Sequence, residues 1–106
     1  MECDVQTRGV EISGEKISAR PPMWVVVMHN DDFTPMGLVV DILKSIFGKN
    51  QEEAQTLMLR VHELGQAVCG QFSCEIAETK AVQARAVAQE EGYPLLCTIH
   101  PTPTQN

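Results

Sequence analysis

The chain has 106 residues, enough for one small domain whose single core buries roughly 60 to 70% of the unfolded surface. Eight Lys and Arg against fourteen Asp and Glu leave a net charge of -6. That speaks against nonspecific nucleic-acid binding, which needs a basic surface to release counterions from phosphates, and favours cationic or neutral partners. No apolar stretch approaches the ~20 residues that span a bilayer, and the start lacks the basic segment and apolar run of a signal peptide, so the expectation is a cytoplasmic protein without a membrane partner. None of the four cysteines, Cys3, Cys69, Cys74 and Cys97, belongs to a Cys-x-x-Cys pair. Reduced thiols are expected, with no metal and no cofactor.

Residues 1–21 mix charge, glycine and isolated aliphatics without a sustained period, and Pro21-Pro22 marks the boundary; they read as a flexible tail preceding a domain over residues 22–106. Residues 24–28 form a β-branched apolar run that suits a buried strand. Thr34-Pro35 predicts a helix start, with Thr34 capping free N–H groups and Pro35 at the first helical position. Met36, Val39, Val40, Leu43 and Phe47 then recur at helical spacing up to Gly48. Asn50 and Glu53 predict a capping box for a second helix, striped by Ala54, Leu57, Met58, Val61 and Leu64 and closed by Gly65. A second strand is expected over residues 66–72, with Ala67, Cys69 and Gln71 on one face and Val68 and Phe72 on the other, and Gly70 marking close packing. Ser73 is the expected cap of a third helix reaching residue 91, and residues 95–99 form the third strand. The order β-α-α-β-α-β points to an α/β (α+β) sandwich, a small sheet on one side and three helices on the other.

The stretch His29-Asn30-Asp31-Asp32-Phe33-Thr34-Pro35-Met36 concentrates polar acceptors where an apolar strand ends and a helix begins. Its plain reading is a turn, because short Asn and Asp side chains bond the local backbone. The sharper reading is a site for a cationic group beside an apolar hole, since His62 stands at the edge of the second helix's inward stripe and Met36, Val39, Met58 and Val61 line the two helices. By pattern alone those four are core, and His62 is a helix-border histidine. Acid–base chemistry by Asp31, Asp32 and His62, or a nucleophilic Cys69, is the enzymatic alternative. No nucleophile elbow, phosphate loop, dinucleotide fingerprint or zinc-protease motif supports it.

Asn30-Asp31-Asp32-Phe33-Thr34-Pro35-Met36, Val61-His62-Glu63-x-Gly65, Cys69-Gly70, Glu75-Ile76-Ala77-Glu78-Thr79-Lys80 and Pro94-Leu95-Leu96-Cys97, in this order, resemble the ClpS family of bacterial N-degron adaptors of the Clp protease. The likeness runs from about Trp24 to Ile99. It implies a three-stranded antiparallel sheet packed on three helices and a non-enzymatic function. The adaptor would bind the free α-amino group and large first side chain (Leu, Phe, Tyr or Trp) of a substrate protein and hand it to a ClpA-type AAA+ unfoldase.

Carried onto this chain, the resemblance implies that Asn30, Asp31 and His62 bind the amino group, with Asp32 and Thr34 in support. Met36, Val39, Met58, Val61 and Leu95 would line the hydrophobic pocket, with His29 at its floor or wall. Glu75 and Lys80 would face the N-terminal domain of the unfoldase, and the tail before Pro21 would serve delivery by a monomeric adaptor. Two positions depart from the family pattern. His29 replaces an aliphatic residue, and Gly37-Leu38 replaces an acidic-aromatic pair, as in a divergent paralogue. A related module of a larger ligase or ribosome-associated assembly is the remaining non-enzymatic alternative.

Overall fold

A computed structural model of the chain describes residues 22–102; the predicted delivery tail lies outside them. β1 (Met23–His29) is the central strand, flanked antiparallel by β2 (Gln66–Ser73) and β3 (Leu96–Pro101). Its β-branched run earns that place because such side chains pack well on a pleated surface whose ladder is satisfied on both edges. α1 (Met36–Ser45), α2 (Gln51–Leu64) and α3 (Cys74–Glu90) complete the β-α-α-β-α-β order. The predicted sandwich of a three-stranded sheet on three helices is thus the observed fold.

Alternation along β1 decides which face the helices cover. Trp24, Val26 and Met28 join one buried cluster with Val39, Ile42 and Leu43 of α1, Ala54 and Val61 of α2, and Ala77, Ala81, Ala84 and Ala88 of α3. Burying a side chain the size of Met28 or Ile42 contributes roughly 1.5 to 3 kcal/mol. The alanine stripe of α3 recurs at helical spacing and lets that helix lie close to the sheet. Val25, Val27 and His29 point the other way.

A bulge changes the face assignment expected for β2. The pairing runs Met28 with Ala67 and Val27 with Val68, then shifts so that Val26 meets Gly70, Val25 meets Gln71 and Trp24 meets Phe72. Cys69 is the extra residue, and beyond it the alternation is inverted. Phe72 therefore packs against the core while Gln71 and Val68 are exposed, correcting the expectation that Gln71 shares a face with Cys69 and Phe72 with Val68. Gly70 does mark close packing: a Cβ there would lie 2.6 Å from Phe72 Cζ.

Helix ends follow their local chemistry, with two corrections. Asn50 and Glu53 form the capping box, Glu53 N–H donating to Asn50 Oδ1 at 2.8 Å and Asn50 N–H to Glu53 Oε1 at 3.1 Å. Gly65 ends α2 at φ 91°, a left-handed conformation that a side chain would strain. α1, however, is not capped by Thr34. Pro35 is its N-cap residue and no side chain caps it, because the Thr34 hydroxyl is donated elsewhere. Ser73 occupies the N-cap of α3 without a side-chain bond. Of the cysteines expected to be reduced, Cys69 and Cys97 are free and buried.

Candidate functional site

The acceptor loop is built by Asp31. Its Oδ1 accepts the backbone N–H groups of Phe33 at 2.7 Å and Thr34 at 2.8 Å, and its Oδ2 accepts the Thr34 hydroxyl at 2.8 Å. Burial pushes the Asp31 carboxyl up, but the two backbone bonds and the Thr34 hydroxyl outweigh it, leaving the pKa below its ordinary value. Asp31 is therefore a carboxylate at neutral pH. Of its roughly four lone-pair sites three are filled, so about one remains for an incoming donor.

One long-range bond fixes this loop against α2. Asn30 N–H donates to the Gly65 carbonyl at 2.9 Å. His29 pairs with Gln66 on one side and Leu96 on the other, so the next residue, Asn30, leaves the sheet between Gly65 and Leu95. His62 stands one turn before Gly65 on α2, exposed, as are Asn30 and Asp32. The strand end, the helix C-terminus and the start of β3 thus converge on one edge of the sheet. Asn30 and Asp31 leave the strand at that end, and His62, more than thirty positions later in sequence, lies one turn before the Gly65 to which Asn30 is bonded.

The residues expected to line an apolar pocket divide between core and surface. Val39, Val61 and Leu95 belong to the same buried cluster, and Met58 packs against it half-buried. Met36 opens α1 and stays 44% exposed. It is an unbranched, flexible side chain left on the surface. Phe33 is 71% exposed in the same loop. The Asp31–Thr34 spacing, which favours a local side-chain-to-backbone turn, identifies Thr34 as a prop for Asp31 rather than a helix cap.

Three expected site residues are placed differently from that group. His29 lies on the sheet face turned away from Met28, and its Nε2 is 2.8 Å from Thr98 Oγ1, which in turn is 2.8 Å from His100 Nε2. Glu75 is exposed in the first turn of α3, away from the loop. Lys80 is half-buried and donates Nζ to the Ile46 carbonyl at 2.8 Å, 5.5 Å from the Phe72 ring centroid. It ties α3 to the end of α1.

The geometry offers little to a covalent enzyme. Burial, then the neighbouring Cys97, pushes the Cys69 thiol up to about 12, against the lowering effects of Lys49 and a Met28 backbone bond. A thiol so raised supplies almost no thiolate at neutral pH. Among the described residues no three His, Cys, Asp or Glu side chains gather as a metal site, and no helix is long and apolar enough to cross a membrane.

Known proteins have similar sequences and the same fold. Residues 19–98 match the family described as "ATP-dependent Clp protease adaptor protein ClpS". The ATP-dependent Clp protease adapter protein ClpS of Pectobacterium carotovorum subsp. carotovorum is 46% identical over 95 residues, covering 89% of this chain and 90% of that one. The protein of the same name from Sodalis glossinidius is 51% identical over 85 residues, covering 79% and 80%. The solved structure of Agrobacterium tumefaciens ClpS2 bound to L-phenylalaninamide superposes with a TM-score of 0.76 at 36% identity, covering 78% of this chain and all of that one. By sequence over residues 19–98 and by the fold of its sheet and helices, this chain belongs to the ClpS family of ATP-dependent Clp protease adaptor proteins.

Proposed function

We propose that this adaptor binds the free α-amino group and large hydrophobic first side chain of N-degron proteins and delivers them to a ClpA-type AAA+ unfoldase. The observation that carries the reading is the fastening of the Asp31 loop to Gly65, beside His62 and the Val39, Val61 and Leu95 cluster. A protonated amine has three donors and needs convergent acceptors. The free lone pair of Asp31 Oδ2, the Asn30 side-chain carbonyl and a His62 ring nitrogen fill that need. Asp32 adds negative charge, and Thr34 holds Asp31 in place. The relative's ligand, L-phenylalaninamide, has the chemistry of a peptide's first residue: a free amine, a benzyl side chain and an amide where the chain would continue.

Met36, Val39, Met58, Val61 and Leu95 would take the first side chain. Burying a Leu- or Phe-sized group contributes roughly 1.5 to 3 kcal/mol, about 10- to 150-fold over a small residue. Leu, Phe, Tyr and Trp are the expected first residues, and β-branched Ile and Val fit less well. His29, bonded to Thr98 on the other sheet face, would act on this pocket only through the backbone it shares with Asn30. Exposed Glu75 and half-buried Lys80 would meet the unfoldase's N-terminal domain, and residues 1–21 would serve delivery. The adaptor would work as a monomer in the bacterial cytoplasm.

Fluorescence anisotropy with peptides beginning Leu, Phe, Tyr, Trp or Ile, each with a free or acetylated amine, tests the reading. Free Phe and Leu peptides are expected to bind at least about tenfold more tightly than their acetylated forms, from loss of a charge-assisted contact. Equal binding of free and acetylated Phe peptides would remove the amine site.

A further inference from the structure

A cleft opens at the corner between α3 and β3, lined by Arg85, Gln89, Gly92, Tyr93, Pro94 and Leu95, with a volume of about 660 Å³. That size is in the range of small-ligand and peptide sites. Leu95 is common to this cleft and to the buried cluster beside the amine site. Because His29 pairs with Leu96, the cleft begins at the same sheet edge at which Asn30 leaves the strand.

Arg85 is the charged group in the cleft. Its Nη1 donates to the Cys97 carbonyl, and this bond holds the half-buried side chain in place. Among the described residues it has no carboxylate partner, in a chain with fourteen acidic and eight basic side chains. An arginine presents five N–H donors in a planar fork suited to carboxylate. With one donor engaged by a carbonyl and no ion pair formed, the remainder of the fork is available, next to the Tyr93 ring and the Gln89 amide.

We propose that this cleft is a second substrate subsite, in which Arg85 binds the carboxylate of an Asp or Glu side chain downstream of the substrate's first residue. The proposal rests on the N-degron reading above and adds a charge preference to it. Position follows from electrostatics and reach. Asp31 and Asp32 flank the amine site, so an acid at the second residue meets like charge. An extended chain advances about 3.3 to 3.6 Å per residue, which carries the third or fourth residue past that repulsion toward the α3–β3 corner. Exposed Glu90 and Glu91 at the end of α3 oppose the acid only from outside the cleft.

Anisotropy on the full-length protein decides it, with free-amine Phe peptides carrying Glu, Gln or Lys at each of positions two to five. At low ionic strength the expected order at position three or four is Glu over Gln over Lys, with Glu about 3- to 10-fold tighter than Gln; the margin shrinks with added salt. Arg85→Gln should erase the order, and Arg85→Lys should restore part of it, while both keep the discrimination between free and acetylated Phe. That retained discrimination shows that the variants fold and that the amine site survives. Equal binding of Glu and Gln peptides at every position by the wild-type protein overturns the subsite and leaves the N-degron reading standing. If Arg85→Gln instead weakens binding of the unfoldase's N-terminal domain with the peptide order unchanged, the cleft faces the unfoldase and the substrate assignment is wrong. Loss of free-versus-acetyl discrimination in the wild-type protein is the distinct result that would fail the underlying function.

Discussion

Thr34 binds Asp31 twice, its backbone N–H donating to Oδ1 and its hydroxyl to Oδ2, each at 2.8 Å. With the Phe33 N–H on Oδ1 as well, the Asp31 carboxylate shapes the loop and, in the proposed function, offers its last acceptor site to the substrate amine. The two roles make Asp31 the residue on which the site most depends.

Asp31→Ala and His62→Ala are each expected to weaken binding of a free-amine Phe peptide by about 1 to 3 kcal/mol. Thr34→Val removes one hydroxyl bond and keeps the carboxylate, so its loss should be smaller, about 0.5 to 1.5 kcal/mol. Anisotropy measures all three. Wild-type affinity in both alanine variants would sink the assignment of these groups to the amine.

The lowered pKa of Asp31 has a stability consequence with a definite sign. A carboxylate held below its ordinary value of 3.8 in the folded state binds fewer protons folded than unfolded in that interval, so it stabilises the fold above pH 3.8. The contribution fades as the pH falls through 3.8 toward the lower folded value. Urea unfolding between pH 2 and 6 should show the stability gap between wild type and Asp31→Asn widest at the upper end and narrowing below pH 4. A gap that grows on acidification would contradict the hydrogen-bonded carboxylate.

Gly70→Ala forces a Cβ into the Phe72 ring, whose nearest atoms would lie 2.6 and 2.7 Å away. The ring stands 6.4 Å from Phe47 and under Lys80, so its displacement disturbs the joint between β2, α1 and α3. A destabilisation of about 1 to 3 kcal/mol is expected by chemical denaturation. In combination with Phe72→Ala the two costs should be less than additive, since the clash disappears with the ring; strict additivity would show that the ring is not the obstacle.

Delivery and folding should separate along α3. Lys80→Met removes the bond to the Ile46 carbonyl and the contact with Phe72, and should lower stability by about 1 kcal/mol. Glu75→Lys alters an exposed charge and should leave unfolding unchanged while weakening capture of the unfoldase's N-terminal domain. Deleting residues 1–19 should leave peptide affinity intact and block degradation of an N-degron reporter by the purified protease. Normal degradation by the truncated adaptor would free the tail of that role.

The sequence by itself determined the elements, since their signals act within a turn or a few residues. The β-branched run of residues 24–28, the Asn50–Glu53 box and the glycine at 65 need only local neighbours to set a strand, a helix start and a helix stop. It also displayed the acceptors at residues 30–34, though Thr34 was read as a cap because Ser, Thr, Asn and Asp side chains have several local backbone options and only one can be taken.

Tertiary structure alone decided what depends on strand pairing and distant contacts. The Cys69 bulge, which turns Phe72 inward and Gln71 outward, exists only where β2 meets β1. His29 faces Thr98 rather than the helices because register assigns each strand residue to a face. Lys80 meets a carbonyl 34 positions away, and Asn30 donates to the carbonyl of Gly65, which follows His62 by one helical turn. Periodicity shows that a side chain has an inner or outer face; which partner waits there is settled when the pieces pack.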